Sequence, residues 1–427
     1  MHDCAWVVVA AMLASVIGVG AGSAPAAMPV IAAATARSEA PAVQPRGERA
    51  APALAVFQSR HYEVAHNIDA REARGVAHHM DLVFGEYERR LSSFGTRNAR
   101  RIRLYVLDSY DDYLAHLAAN EVNGMGTGGI FFVRGGEAGL ATYADGQTRR
   151  RMLGVLQHEG FHQFAFVRIS SDLPPWVNEG LAEYFEQAVL VRTRFRIGQA
   201  SRAKIERLQR AIEEDATFSF EAMLAMSSAE WGGRVNASDP RAGTMYDQAW
   251  SMVHFLIHAR NGRFASMFEG YLRALSQGLQ REQAFERAFG TDDIASFEGA
   301  WREYVLELEP DPLSTVVDNL EMLTPMIRDL HGRGEHPATV DELRAMLAAS
   351  GLVIRRFDGG FVREVRADDP ALFEIPEPAR RTRPASIEPL PGRNGEPLGL
   401  EVRGLEATVR LVWRRDGDAW VGEIEFR

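Results

Sequence analysis

Cysteine is almost missing from this 427-residue chain, and the one that occurs, Cys4, lies in the extreme N-terminal segment. Disulfides are thereby excluded from the mature protein, and so is a closed structural zinc site completed by cysteine. Lysine is as scarce. Lys204 stands alone, and the arginines that carry almost all the positive charge form no concentrated basic stretch. With a net charge of -10, that distribution argues against nucleic acid as a partner. After the first few tens of residues no uncharged apolar run approaches the length of a membrane span, so none is expected in the mature chain. What is there, 46% hydrophobic and 25% charged residues, suffices for two or three globular domains.

The N-terminus reads as a targeting signal. Ala5 to Gly20 is an apolar run that leads into the small residues Ala21-Gly22-Ser23-Ala24-Pro25-Ala26-Ala27, suited to a signal peptidase. The start, Met1-His2-Asp3-Cys4, lacks the usual positive charge, which leaves an uncleaved anchor as the alternative. The expectation is a signal peptide over 1–26, an exported protein in the periplasm or outside the cell, and an Ala/Pro-rich leader over 27–56.

The chemistry sits at His158-Glu159-Gly160-Phe161-His162. Histidines four residues apart share one face of a helix and can grip one metal ion, while Glu159 can take a proton from a water polarised by that ion. A third ligand is offered downstream. Pro174-Pro175 stops the first helix and lets the chain reverse into Trp176-Val177-Asn178-Glu179-Gly180-Leu181-Ala182-Glu183-Tyr184-Phe185-Glu186, which can bring Glu179 back against both histidines. Two histidines and one carboxylate form the open three-ligand set of a catalytic zinc site. One turn and two turns beyond Glu179, Glu183 or Glu186 can accept the second ring N–H of a ligand histidine. His254 and His258 repeat the spacing with neither an intervening glutamate nor a downstream carboxylate motif, and read as structural.

His-Glu-x-x-His followed by Trp-Val-Asn-Glu-Gly-Leu-Ala-Glu-Tyr resembles the gluzincin branch of the zincin metallopeptidases, in particular the peptidase-MA-like bacterial proteins, and distantly thermolysin and aminopeptidase N. The resemblance implies one zinc ion held by His158, His162 and Glu179, Glu159 as general base, and a peptide or protein substrate. It also makes Tyr246, in Tyr246-Asp247-Gln248-Ala249-Trp250, the candidate for a transition-state tyrosine; a core residue with a hydrogen-bonded tip is the alternative. Gly139 to Tyr143 is implied as the sheet edge above the zinc, where substrate backbone would pair as an added strand. The Gly-Ala-Met-Glu-Asn motif of the aminopeptidase N type is absent and Glu137 is the only acidic residue in that segment, so endo- against exopeptidase stays open. A pseudo-enzyme, a zincin scaffold serving as an envelope binding or adaptor protein, is the alternative function, and the intact Glu159 counts against it.

The expected fold is α+β and zincin-like: a mixed-sheet N-terminal lobe over 57–147, a helical lobe with the zinc site over 148–310, and a small C-terminal α+β domain over 311–427. Strands are expected at Arg60–Val64, Ile102–Leu107, Ile130–Val133 and Gly139–Tyr143, and helices over Asp69–Leu91 and after Ser109. Gly124 to Gly129 superficially resembles a nucleotide loop but follows a helix and precedes a strand, the reverse of what that site needs; a mobile loop beside the cleft is expected instead. In the last region, Thr339-Val340-Asp341-Glu342 is a capping box, Leu352–Arg366 a hairpin, 376–397 a proline-rich linker, and 408–413 and 419–426 are strands.

Overall fold

The computed structural model describes residues 51–94, 101–134, 137–237, 239, 241–290, 293–358, 361–376, 384–392 and 395–427. The expected signal peptide, Cys4 and the leader up to residue 50 lie outside them, as do Gly359, Gly360 and residues 377–383 of the expected linker. The chain is mixed α/β, and its described residues fall into two compact units. The first holds residues up to 147, 151–187 and 208–307; the second holds 148–150, 188–207 and 308–427.

In chain order the first unit opens with β1 (Ala55–Gln58) and β2 (Tyr62–His66), then α1 (Ala70–Arg90), β3 (Ile102–Leu107), α2 (Tyr110–Ala119), β4 (Gly129–Arg134) and β5 (Glu137–Tyr143). These strands make one sheet in the order β1-β2-β3-β5-β4, with β2, β3 and β5 parallel and the two outer strands antiparallel to their neighbours. β1 begins inside the stretch expected as leader, because Ala55 to Gln58 pairs as an edge strand on β2. Asp69 caps α1 by accepting from the Arg71 and Glu72 N–H groups, and Ser109 caps α2 by accepting from that of Asp112. Val76, Met80, Val83, Phe84 and Tyr87 recur along α1 at helical spacing and are buried.

The sheet order changes one expectation. Gly139–Tyr143 is not the edge: β3 flanks β5 on one side and β4, its hairpin partner, on the other, so β4 is the edge strand. Nearness in sequence to the next helix does not determine which strand ends a sheet, since pairing on both sides does.

Next come α3 (Arg149–Arg168) and α4 (Pro175–Glu186), then a short hairpin, β6 (Val189–Val191) and β7 (Arg194–Arg196), and α5 (Arg202–Glu213). Helices follow: α6 (Phe220–Ala225), α7 (Ser228–Asn236), α8 (Ala242–Gly262), α9 (Ala265–Ser276), α10 (Arg281–Phe289) and α11 (Ile294–Leu306). Phe255, Phe264, Phe285, Phe289 and Phe297 close ring to ring among them. Regular geometry in α8 stops at His258, after which Arg260 and Asn261 take left-handed backbone angles.

The second unit continues through α12 (Pro312–Gly332), α13 (Val340–Ser350), the hairpin of β8 (Val353–Asp358) and β9 (Phe361–Arg366), and the sheet of β10 (Ser386–Leu390), β11 (Gly399–Arg403), β12 (Val409–Asp416) and β13 (Ala419–Phe426). Val316, Leu320, Leu323 and Ile327 of α12 share a core with Leu343 and Leu347 of α13 and with Leu400, Val409 and Leu411 of the sheet. Two details depart from the sequence reading. Residues 188–207, expected within the helical lobe, cluster with this unit, where the Asp311 N–H donates to the Ala200 carbonyl. β10 lies inside the expected linker and pairs antiparallel with β11; its Pro389 is tolerated because an edge strand has one row of N–H groups without ladder partners. Among the described residues no helix is long and apolar enough to cross a membrane.

Candidate metal centre

α3 is buried on all sides from Val155 to Ala165, and within that stretch His158 and His162 stand one turn apart with ring centroids 4.8 Å from each other. Six residues, Ile169 to Pro174, reverse the chain, and Pro175 opens α4 at the first helical position, where its missing N–H would have had no intrahelical partner. Glu179 then lies one turn into α4, fully buried. Its Oε2 is 3.4 Å from His158 Nε2 and 3.6 Å from His162 Nε2. The expected ligand triple is brought together, with one donor atom from each residue inside a 4.8 Å cluster.

A close helix crossing holds Glu179 there. A Cβ on Gly180 would stand 2.4 Å from the Ala249 carbonyl oxygen and 2.7 Å from Val253 Cγ2, so α4 can lie against α8 only because this position carries no side chain. Gly180→Ala gains up to about 1 kcal/mol of helix propensity yet must push backbone from backbone, an overpacking cost of about 1–3 kcal/mol or more. The expected outcome is a net loss of stability in urea unfolding together with weaker metal binding; stability at or above that of the wild type would show that the crossing has slack.

Glu179 and His158 shift each other's titration. Burial would raise the Glu179 carboxyl, but His162 and His158 hold it down to about 2. Burial would lower His158, but Glu179 and Glu186 keep its imidazole well above the usual histidine value. His158 Nε2, His162 Nε2 and both carboxylate oxygens of Glu179 are buried without a hydrogen-bond partner among the described residues. Buried polar atoms without partners are costly, and four of them converging on one place are what a cation would satisfy. The donor set, two nitrogens and one carboxylate, fits zinc.

Of the two carboxylates left open by the sequence, Glu186 meets the ring directly. His158 Nδ1 donates to its Oε2 at 3.0 Å, which fixes Nε2 as the nitrogen turned toward Glu179. Glu183 lies in the same His158–Glu186 group, half-buried. His162 Nδ1 has no acceptor among the described residues.

Glu159 accepts a 2.8 Å hydrogen bond from the Phe131 N–H of β4 through Oε2, while Oε1 is buried without a partner among the described residues. Burial raises its carboxyl to about 7, against the pull of His162, His158 and the Phe131 N–H. One oxygen is anchored on the sheet edge and the other is open to a proton. Tyr246 comes from α8, its ring edge-on to Trp231 at 5.2 Å and its buried hydroxyl without a hydrogen-bond partner among the described residues. Burial and then the charge of Glu179 hold that hydroxyl proton well above its ordinary pKa.

Other sequence candidates fall outside the centre. His254 Nδ1 meets the Tyr304 hydroxyl at 2.7 Å and His258 Nε2 the Tyr184 hydroxyl at 2.9 Å, as satisfied structural histidines do. Glu137 is exposed and pairs with Arg103 at 3.1 Å. The glycine loop is pinned: the Gly126 N–H donates to the Tyr110 hydroxyl, the Thr127 hydroxyl donates to the Gly124 carbonyl, and a Cβ on Gly124 would meet Leu117 Cδ1 at 2.2 Å. Gly124 serves close packing on α2. Sequence reasoning missed the Phe131 N–H, because a backbone donor leaves no trace in residue identity.

Among known proteins, a family described as "Protein of unknown function (DUF1570)" matches residues 153–275, a stretch that contains all three candidate ligands, Glu159, Glu186 and Tyr246. No curated protein matches the chain.

Proposed function

We propose that this protein is a zinc-dependent metallopeptidase of the zincin type, gluzincin branch, which hydrolyses peptide bonds by attack of water. The observation that carries the reading is the convergence of the orphaned Nε2 atoms of His158 and His162 and the orphaned carboxylate of Glu179, with the half-anchored carboxylate of Glu159 beside them. His158, His162 and Glu179 would hold the ion. A bound zinc supplies Lewis acidity, lowering the pKa of water to about 7 and polarising a carbonyl.

The chain's own groups do the rest. Glu159 takes the proton from the attacking water at its open oxygen and passes it to the leaving amine, the work of a general base. Tyr246 keeps its proton and donates to the carbonyl oxygen as that atom gains negative charge. β4 ends the sheet and carries the Phe131 N–H that anchors Glu159, so an extended substrate backbone would lie along this strand rather than β5. An exported protein would meet its peptide substrates in the periplasm or outside the cell.

A mixed peptide library digested by the purified mature chain, with metal analysis of the same preparation, tests the proposal. Cleavage that stops on chelation and returns with zinc is expected; a protein that holds zinc and cleaves nothing would point to a binding or adaptor scaffold. Tyr246→Phe should leave metal content unchanged and lower kcat roughly 10²-fold, the scale of one lost oxyanion donor. An unchanged kcat would return Tyr246 to the core.

A further inference from the structure

We propose that Gln157 is a positioning residue of the metal centre, holding the end of α4 so that the Glu186 carboxylate stays on His158; the proposal rests on the metal-site reading above. Gln157 precedes the first candidate ligand, and successive helical side chains diverge by about 100°, so it points away from the ligand cluster. Its amide is fully engaged. Nε2 donates to the carbonyls of Phe185 at 2.9 Å and Glu186 at 3.0 Å, and Oε1 lies 2.7 Å from His79 Nε2 on α1. The Tyr87 hydroxyl, also on α1, donates to the Gln157 main-chain carbonyl.

The orientation of the amide is determined by its partners. Reversing it would set Oε1 against two carbonyl oxygens, so Nε2 must face α4, and His79 must carry its proton on Nε2 to donate to Oε1. The last four carbonyls of a helix have no intrahelical partners, and here one buried side chain of α3 takes two of them. A closed ring of contacts results: Gln157 holds the Glu186 backbone, the Glu186 side chain holds the His158 ring, and His158 follows Gln157 along α3. Motion of the end of α4 relative to α3 would turn the His158 imidazole. The amide that prevents it touches neither the metal site nor substrate.

The test is zinc affinity measured by competition with a chromogenic chelator, beside the visible spectrum of the cobalt-substituted protein, for Gln157→Met, Glu186→Ala and the double variant. Methionine keeps the volume and removes both N–H donors. Gln157→Met and Glu186→Ala should each weaken zinc by about tenfold or more, the scale for a partner that orients a ligand, and shift the cobalt bands alike. The double variant should be no weaker than the weaker single, because both act through one ring. His79→Phe, which frees Oε1, provides a milder variant should Gln157→Met fail to fold, and should show a smaller shift in the same direction. Wild-type affinity and cobalt bands in either folded variant, or additive losses in the double, would overturn the role of Gln157. A wild-type chain that binds neither metal would sink the metal-site reading itself.

Discussion

Glu159→Gln is expected to keep its metal and lose turnover. The substitution preserves volume, and the amide oxygen can still accept from the Phe131 N–H, so the anchor on β4 survives. What disappears is the proton acceptor at the open oxygen, since an amide cannot take a proton at neutral pH. General-base catalysis is worth roughly 10²–10⁴-fold, and Glu159 would act twice, on the water and on the leaving amine, so the loss should approach the upper end or exceed it. Removing a buried carboxyl whose pKa is raised to about 7 should also cost little stability. Metal content by atomic absorption and kcat on the best library peptide check the two halves separately. Cleavage at the wild-type rate would sink the mechanism while leaving the metal site standing.

His158→Ala, His162→Ala and Glu179→Ala should each abolish stoichiometric zinc and the stabilisation that zinc confers. At a free metal concentration about a thousandfold above Kd, binding to the folded state alone adds about 4 kcal/mol. The wild-type unfolding transition should therefore rise on adding zinc, and none of the three variants should follow. Without metal the variants should diverge. Loss of either histidine leaves Glu179 buried with less opposing charge, whereas loss of Glu179 removes the carboxylate that both imidazoles face. Glu179→Ala is thus expected to be the least destabilised of the three in a chelator. A zinc-dependent upward shift that persists in all three would place the ion elsewhere.

The ligand triple was legible because its geometry is local. His158 and His162 share a helix face by spacing alone, and Pro174-Pro175 announces a reversal that returns Glu179. The cap at Ser109 and the strand at Ile102–Leu107 were legible for the same reason, since capping and alternation act over a few residues. Illegible features depend on what lies across a contact. Spacing leaves both Glu183 and Glu186 open, and the seating of α4 against α3 is what brings Glu186 to His158 Nδ1. The proline content of 376–397 suggested a linker, yet β10 pairs there because an edge position forgives a missing N–H.

The sequence by itself determined that this chain carries two histidines, a general-base candidate and a third carboxylate at spacings able to meet, and that no cysteine could complete a closed site. Tertiary structure alone decided that β4 rather than β5 ends the sheet, that residues 188–207 join the second unit, and that Gly180 lets α4 approach α8. It alone set Gln157 across the end of α4. The division follows the range of the forces: backbone periodicity and capping are encoded in neighbouring residues, whereas strand order, helix crossing and the partner of a buried amide depend on which distant surfaces bury each other.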